Sequence, residues 1–167
     1  YPEAISYVCS VQGGDHTSTT GLPLESSSEL GEIFNDSGVY CNFNSFGVPR
    51  KVKFDFYRAV TGVELTREEW FQAKAMRILQ LQRAMLLLGG PDLKWNPKIH
   101  DANPPRFYER LPSGPYKGKT ADKTKVEEYK RRYYKAVGWD KNGVPKSEIL
   151  RKLALQDVDK ALQKLRK

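Results

Sequence analysis

The sequence predicts an all-α domain, an irregular set of helices interrupted by one long Pro-rich meander. Three observations carry that expectation. Two Ser/Thr-x-x-Glu boxes, Ser26 with Glu29 and Thr66 with Glu69, each precede a run of helically spaced apolar residues. Six of the ten prolines fall between Pro91 and Pro115, where neither a helical nor a strand period survives. No segment reads as a confident strand. The 167 residues suffice for one well-filled domain but not comfortably for two, so residues 1–167 are taken as a single unit.

Taken in order, PEAISYVCSV carries Ile5, Val8 and Cys9 and is ambiguous between a short helix and a strand. QGGDHTSTTG is a loop by composition. From Ser26 a helix carries Leu30, Ile33 and Phe34 and loosens near Gly38, because glycine disfavours a helix interior. Pro49 opens a second helix, with Val52, Phe56, Tyr57 and Val60 at amphipathic spacing and Gly62 as its stop. After Thr66 a long helix runs to Gly89, Gly90 and Pro91. It carries Trp70, Phe71, Ile78, Leu79, Leu81, Met85, Leu86 and Leu88 and reads as the central buried helix.

The Pro-rich stretch from 91 to 121 contains Trp95, Phe107, Tyr108 and Tyr116, so it reads as an ordered meander packed over something rather than as disorder. A helix returns over 122–137, with Val126, Tyr129, Tyr133 and Val137 on one face and Gly138 as its end. The DKNG of residues 140–143 is a turn. Short helices at 147–153 and 157–166 close the chain, the second carrying Val158, Ala161, Leu162 and Leu165.

A formal net charge of +8 favours acidic partners without saying anything about fold. The longest apolar run, Ala84 to Leu88, is far below the roughly 18 residues of a membrane span. No signal-peptide pattern is present. The chain opens on Tyr1 in what reads as mid-domain sequence, so a fragment of a longer protein is expected. Two cysteines with no other sign of secretion suggest a reducing cytoplasm, although Cys9 and Cys41 are enough for one disulfide.

The stretch FNDSGVYCNF, residues 34–43, poses the chemical question. Cys41 is either a small core hydrophobe or one ligand of a site completed elsewhere. Zinc and iron–sulfur sites usually take four ligands, and this chain lacks a C-x2-C pair. Asp36 is either a helix-end aspartate or a bidentate acceptor for a planar heterocycle. His16, in GGDH, is either a surface-loop histidine or a proton carrier beside a closely approaching ligand. His100 is given no role. The basic run KVEEYKRRYYK, 125–135, has the residue types for nucleic-acid binding. Its tyrosines fall at core spacing, however, and a solvated basic face fits better.

Several of these segments together resemble the C-terminal part of the aldehyde ferredoxin oxidoreductase family. GGDH at 13–16 is similar to the family's arginine-glycine-x-x-histidine region, and DSGVYC with Phe43 to its D-S-L-G-L-C-x-F motif. DFYRAVTGVELTREEWFQAKAMRILQLQRAM, RFYERLPSGPYKGKTAD and YYKAVGWDKNGVP are similar to later segments, GWDKNGVP being the most specific. The family motif places its glycine one position after Gly38, its first arginine falls on Gln12, and the segment from His16 to Cys41 is shorter here. The register that keeps Asp36, Cys41 and Phe43 together retains both chemical groups.

The resemblance implies a tungstopterin enzyme (bis-pterin, with tungsten or molybdenum) that oxidises a small aldehyde to a carboxylic acid. Electrons would pass through a 4Fe–4S cluster to ferredoxin. Asp36 would bind a pterin ring, Tyr40 would contact the same pterin, Cys41 would be the cluster's fourth thiolate and His16 would move a proton. The other cluster ligands would come from N-terminal domains of the same protein, and the fragment alone would hold no cofactor and be inactive. Two other readings stand beside this one: a basic helical binding module for nucleic acid or an acidic protein, and a family scaffold without its cofactors.

Overall fold

The computed structural model describes residues 8–11, 29–41, 43–90 and 94–166. Within them the secondary structure is helical. The helices are α1 Glu29–Ser37, α2 Arg50–Thr61, α3 Arg67–Glu69, α4 Ala75–Leu88, α5 Pro97–His100, α6 Lys123–Val137, α7 Ser147–Lys152 and α8 Gln156–Leu162. A π-helical turn, Trp70–Lys74, joins α3 to α4 without a break. Single 3-10 turns occupy Pro105–Tyr108 and Gln163–Leu165. The only β pairing among the described residues is an isolated bridge between Trp139 and Pro145.

The capping logic of the sequence is visible in the coordinates. The Thr66 hydroxyl accepts from the Glu69 N–H at 3.1 Å, and the Glu69 carboxylate accepts from the Thr66 N–H at 2.9 Å. Asp122 caps α6 by accepting from the Thr124 and Lys125 N–H groups. Gly62 and Gly138 end α2 and α6 in the left-handed conformation that glycine adopts without a steric cost. The box expected at Ser26 and the loop holding His16 lie outside the described residues.

The core is built where α1, α4, α6 and the C-terminal helices meet around Leu30, Phe34, Leu79, Tyr133, Trp139, Leu150 and Leu162. Several polar side chains cross it, each of the following with a partner. The Trp70 indole donates to the Leu30 carbonyl at 3.1 Å, fixing the π-turn to α1. Gln80 donates to the Val137 carbonyl at 2.8 Å and accepts from the Trp139 indole at 2.9 Å. The guanidinium of Arg83, fully buried, donates to the Gly143 carbonyl and to the Asp101 carboxylate, both at 3.0 Å. Asp101 also accepts from the Trp95 indole at 2.7 Å and from the Tyr134 hydroxyl. Burying a charge is expensive unless it is paired and hydrogen-bonded, and every oxygen here is engaged.

That network explains the sequence GWDKNGVP. Trp139 supplies the aromatic face 4.2 Å from the Arg83 guanidinium carbon. Asp140 folds the turn by accepting from the Asn142 and Val144 N–H groups. At Gly143 a Cβ would lie 2.5 Å from Arg83 Nη2, so only glycine leaves room. From residue 94 to 121 the meander is ordered, as its aromatics require. Trp95 packs on the core, and Asp101 anchors the stretch from beneath. It also contains α5 and a 3-10 turn, which the prolines mask in sequence because they hide the helical period.

Three expected faces are corrected. Val52, Phe56 and Val60 of α2 face outward, at 50%, 57% and 67% exposure, and it is Phe54 that stacks on Phe34 at 4.5 Å between ring centroids. On α4, Met85 and Leu88 are exposed while Gln80 and Arg83 are buried. The π-turn inserts a residue and rotates the following helix, and the satisfied polar pair takes positions that hydropathy assigns to the surface. On α8, Asp159 rather than Ala161 joins Leu162 inside, where its carboxylate holds Ser147, Arg151 and Arg166.

Candidate cofactor site

The end of α1 turns the chain sharply. The Gly38 N–H donates to the Phe34 carbonyl at 3.0 Å, and the Tyr40 N–H to the Asn35 carbonyl at 2.8 Å. This wrap requires one residue in the left-handed region, and that residue is Val39, at φ +56°. The position one after Gly38, where the family motif has its glycine, is thus the position whose backbone favours glycine. Gly38 itself answers a different need. A Cβ there would sit 2.4 Å from the Tyr40 ring.

Tyr40 lies flat over this turn. Its ring packs on Phe34 at 5.8 Å and meets Phe56 edge-on at 6.1 Å, and its hydroxyl donates to the Lys53 carbonyl at 3.2 Å. Burial, then the neighbouring Tyr57, pushes its phenol pKa upward. The Lys53 ammonium bonds the Asn35 and Ser45 side chains, each at 2.9 Å, and closes the loop beneath.

Asp36 and Cys41 sit on either side of the turn, both exposed. The two cysteines have separate fates. Cys9 is buried, and burial and then the carboxylates of Asp101 and Glu29 push its thiol well upward. Cys41 is a free, exposed thiol. Among the described residues no three His, Cys, Asp or Glu side chains converge on a metal position. Cys41 would therefore need ligands from elsewhere to hold a metal. Val39, Phe43, Phe46 and Val48 in the turn and the loop after it, and Val52, Phe56 and Val60 on the outer face of α2, expose large apolar side chains. Such a concentration of exposed apolar side chains marks a contact surface. An exposed thiol, an exposed carboxylate and exposed apolar side chains within one stretch of chain suit contact with a bulky group.

Sequence reasoning missed Glu29. It is buried, accepts from the Val11 N–H at 2.8 Å and from the Tyr133 hydroxyl, and so ties the N-terminal segment to α1 and α6. Burial lifts its carboxyl to about 7 against the lowering effect of those hydrogen bonds and of Arg83. The capping-box pattern with Ser26 concealed this role, because a glutamate at a helix start reads first as a local acceptor.

Comparisons with known proteins identify the family. A family model described as aldehyde ferredoxin oxidoreductase, domains 2 and 3, matches residues 3–155. The chain is 44% identical over its whole length to an aliphatic sulfonate oxidoreductase, WOR-like subunit, of Pyrococcus furiosus, of which it covers 27%. It is 29% identical over 89% of its length to a tungsten-containing aldehyde ferredoxin oxidoreductase of Pyrococcus furiosus, covering 23% of that protein. A protein of the same name from Pyrococcus horikoshii is 27% identical over 93% of the chain, which covers 24% of it. The chain thus spans about a quarter of the length of these curated relatives. The match of the family model over residues 3–155, with 44% identity over the whole chain to one of these relatives, shows that this chain belongs to the aldehyde ferredoxin oxidoreductase family.

Proposed function

We propose that this chain is the C-terminal part of a tungstopterin iron–sulfur oxidoreductase that converts an aldehyde to a carboxylic acid and passes electrons to ferredoxin. The observation that carries the reading is the turn at Val39. Asp36 and Cys41, both exposed, flank a turn whose left-handed residue falls where the family motif has its glycine, which supports the register that keeps both groups. When bound, the pterin metal centre supplies the two-electron redox chemistry and the 4Fe–4S cluster the outward path. The pterin metal would be tungsten or molybdenum.

Within this chain each group has one task. The Asp36 carboxylate, acceptor-only when ionised, accepts N–H bonds from a pterin ring. Tyr40, fixed by Phe34 and Phe56, gives that ring an apolar neighbour. The deprotonated sulfur of Cys41 is the fourth cluster ligand, since thiolate is the ligating form. His16 takes a proton released when aldehyde and water become carboxylate. The exposed apolar side chains between Val39 and Val60 exclude water once covered by the N-terminal domains. A reducing cytoplasm would suit a free ligating thiol.

The ligand assignment is tested by counting iron and recording the reduced-state electron paramagnetic resonance spectrum of the full-length protein and its Cys41→Ser variant. Loss or conversion of the four-iron signal is expected. A full four-iron cluster in the variant would overturn it.

A second substrate reading has its own support. Identity to the protein named for aliphatic sulfonates is 44%, against 27–30% to those named for aldehydes. An aliphatic sulfonate is thus the second substrate class. Ferredoxin-linked assays with an aldehyde and with an aliphatic sulfonate, run on the same preparation, decide between them.

A further inference from the structure

The meander forms a second feature, separate from the Asp36–Cys41 turn. Residues 106–121 fold back on themselves through backbone bonds. Gly118 donates to the Leu111 carbonyl at 2.8 Å, Leu111 to the Lys119 carbonyl at 3.0 Å and Ala121 to the Phe107 carbonyl at 3.0 Å. Between the two arms lies a cleft of about 280 Å³, floored by Phe107, Leu111 and Ala121. Arg110 and Lys119 stand at its rim and form no ion pair among the described residues. From position 105 to 125 there are six Lys and Arg against Glu109 and Asp122. Glu109 is held by Arg106, and Asp122 is used in capping α6.

We propose that this cleft is a docking site for an acidic protein segment that buries one large apolar side chain. The size decides the kind of occupant. At about 280 Å³ the cleft falls at the small end of ligand pockets, which usually measure roughly 300–1,000 Å³, a size that suits one large side chain. The charge decides the partner. Unpaired cations around an apolar floor favour carboxylates flanking an aliphatic or aromatic anchor. A nucleic acid would need open aromatic faces for stacking. Those nearby are taken: the Lys119 ammonium lies 5.4 Å from the Tyr116 ring centre and that of Lys123 lies 5.0 Å from the Tyr108 ring centre. The backbone bonds preform the cleft, so little ordering is required on binding. The proposal does not rest on the cofactor reading above.

The test uses purified full-length protein and fluorescence anisotropy at low salt. One labelled peptide is Asp/Glu-rich with a central leucine, a second has glycine in its place, and a third probe is a labelled oligothymidine. The leucine peptide is expected to bind at least tenfold tighter than the glycine peptide. Arg110→Gln with Lys119→Gln should weaken both at least fivefold, with an unchanged melting temperature, while Lys146→Gln leaves both unchanged. Leu111→Trp should fill the cleft and remove the preference for leucine. Should that variant fail to fold, the wild-type peptide comparison and the double variant still decide. Equal binding of the two peptides, no binding of either, or tighter binding of the oligonucleotide lost by the same double variant would each overturn the proposal.

Discussion

Replacing Val39 by glycine should stabilise this chain. Val39 holds φ +56°, where the side chain crowds its own backbone and a β-branched residue is least at home. The left-handed conformation costs an L-residue about 1–2 kcal/mol. Glycine removes that cost but brings more freedom to the unfolded chain, a loss of about 0.4–1 kcal/mol. Val39 is 90% exposed, so its side chain contributes almost no burial to offset the gain. The net expectation is a gain of about 0.5–1 kcal/mol, which for a chain of this size raises the melting temperature by about 1–4 °C. Urea and thermal unfolding followed by circular dichroism, with an unchanged urea slope, measure it. A loss of 1 kcal/mol or more would refute the reasoning, because the turn would then not be strained at this residue.

Three further outcomes follow from the same coordinates. Gly38→Ala places a Cβ 2.4 Å from the Tyr40 ring and should cost about 1–3 kcal/mol, but much less in a Tyr40→Ala background, so unfolding of the four proteins of this cycle should give a clear coupling energy. Asp101→Asn leaves the buried Arg83 guanidinium without its countercharge and should cost about 3–5 kcal/mol in urea unfolding, whereas Arg106→Gln, on an exposed pair, should change stability by under about 1 kcal/mol. The third concerns pH. The folded-state pKa of Glu29 is raised from 4.5 to about 7, so the folded protein holds this proton more tightly than the unfolded chain. Its contribution is fully present below pH 4.5 and is lost as pH rises to about 7, up to about 3 kcal/mol. Glu29→Gln should flatten the stability profile in that window, and an unchanged slope between pH 4.5 and 7 would contradict the assignment.

Local signals in the chain were read well where the physics is local. Thr66 with Glu69, and the glycines at 62 and 138, mark helix ends because their partners lie within a turn. The Tyr129, Tyr133 and Val137 stripe of α6 marks a buried face because an uninterrupted helix keeps its period. On α4 the same reasoning failed at Met85, since the π-turn at Trp70–Lys74 has no sequence period of its own. Burial of Arg83 and Asp101 was hidden because the two partners stand 18 residues apart and each alone reads as surface. For α2 the amphipathic spacing was correct, yet Phe54 rather than Val52, Phe56 and Val60 faces inward.

The sequence by itself determined the helical class, the positions of most helix ends, the ordered character of the meander and the family. Those follow from capping, glycine and proline stereochemistry and motif spacing, which act over a few residues. Only the tertiary structure decided which cysteine is a core thiol and which is accessible. It also decided why glycine belongs at position 39 of the motif and which of two carboxylates, Glu29 or Asp36, is buried. The reason is that burial and backbone strain depend on what packs from elsewhere in the chain. For Cys9 that is a core with Asp101 and Glu29 nearby, and for Cys41 it is an apolar surface with nothing among the described residues placed over it.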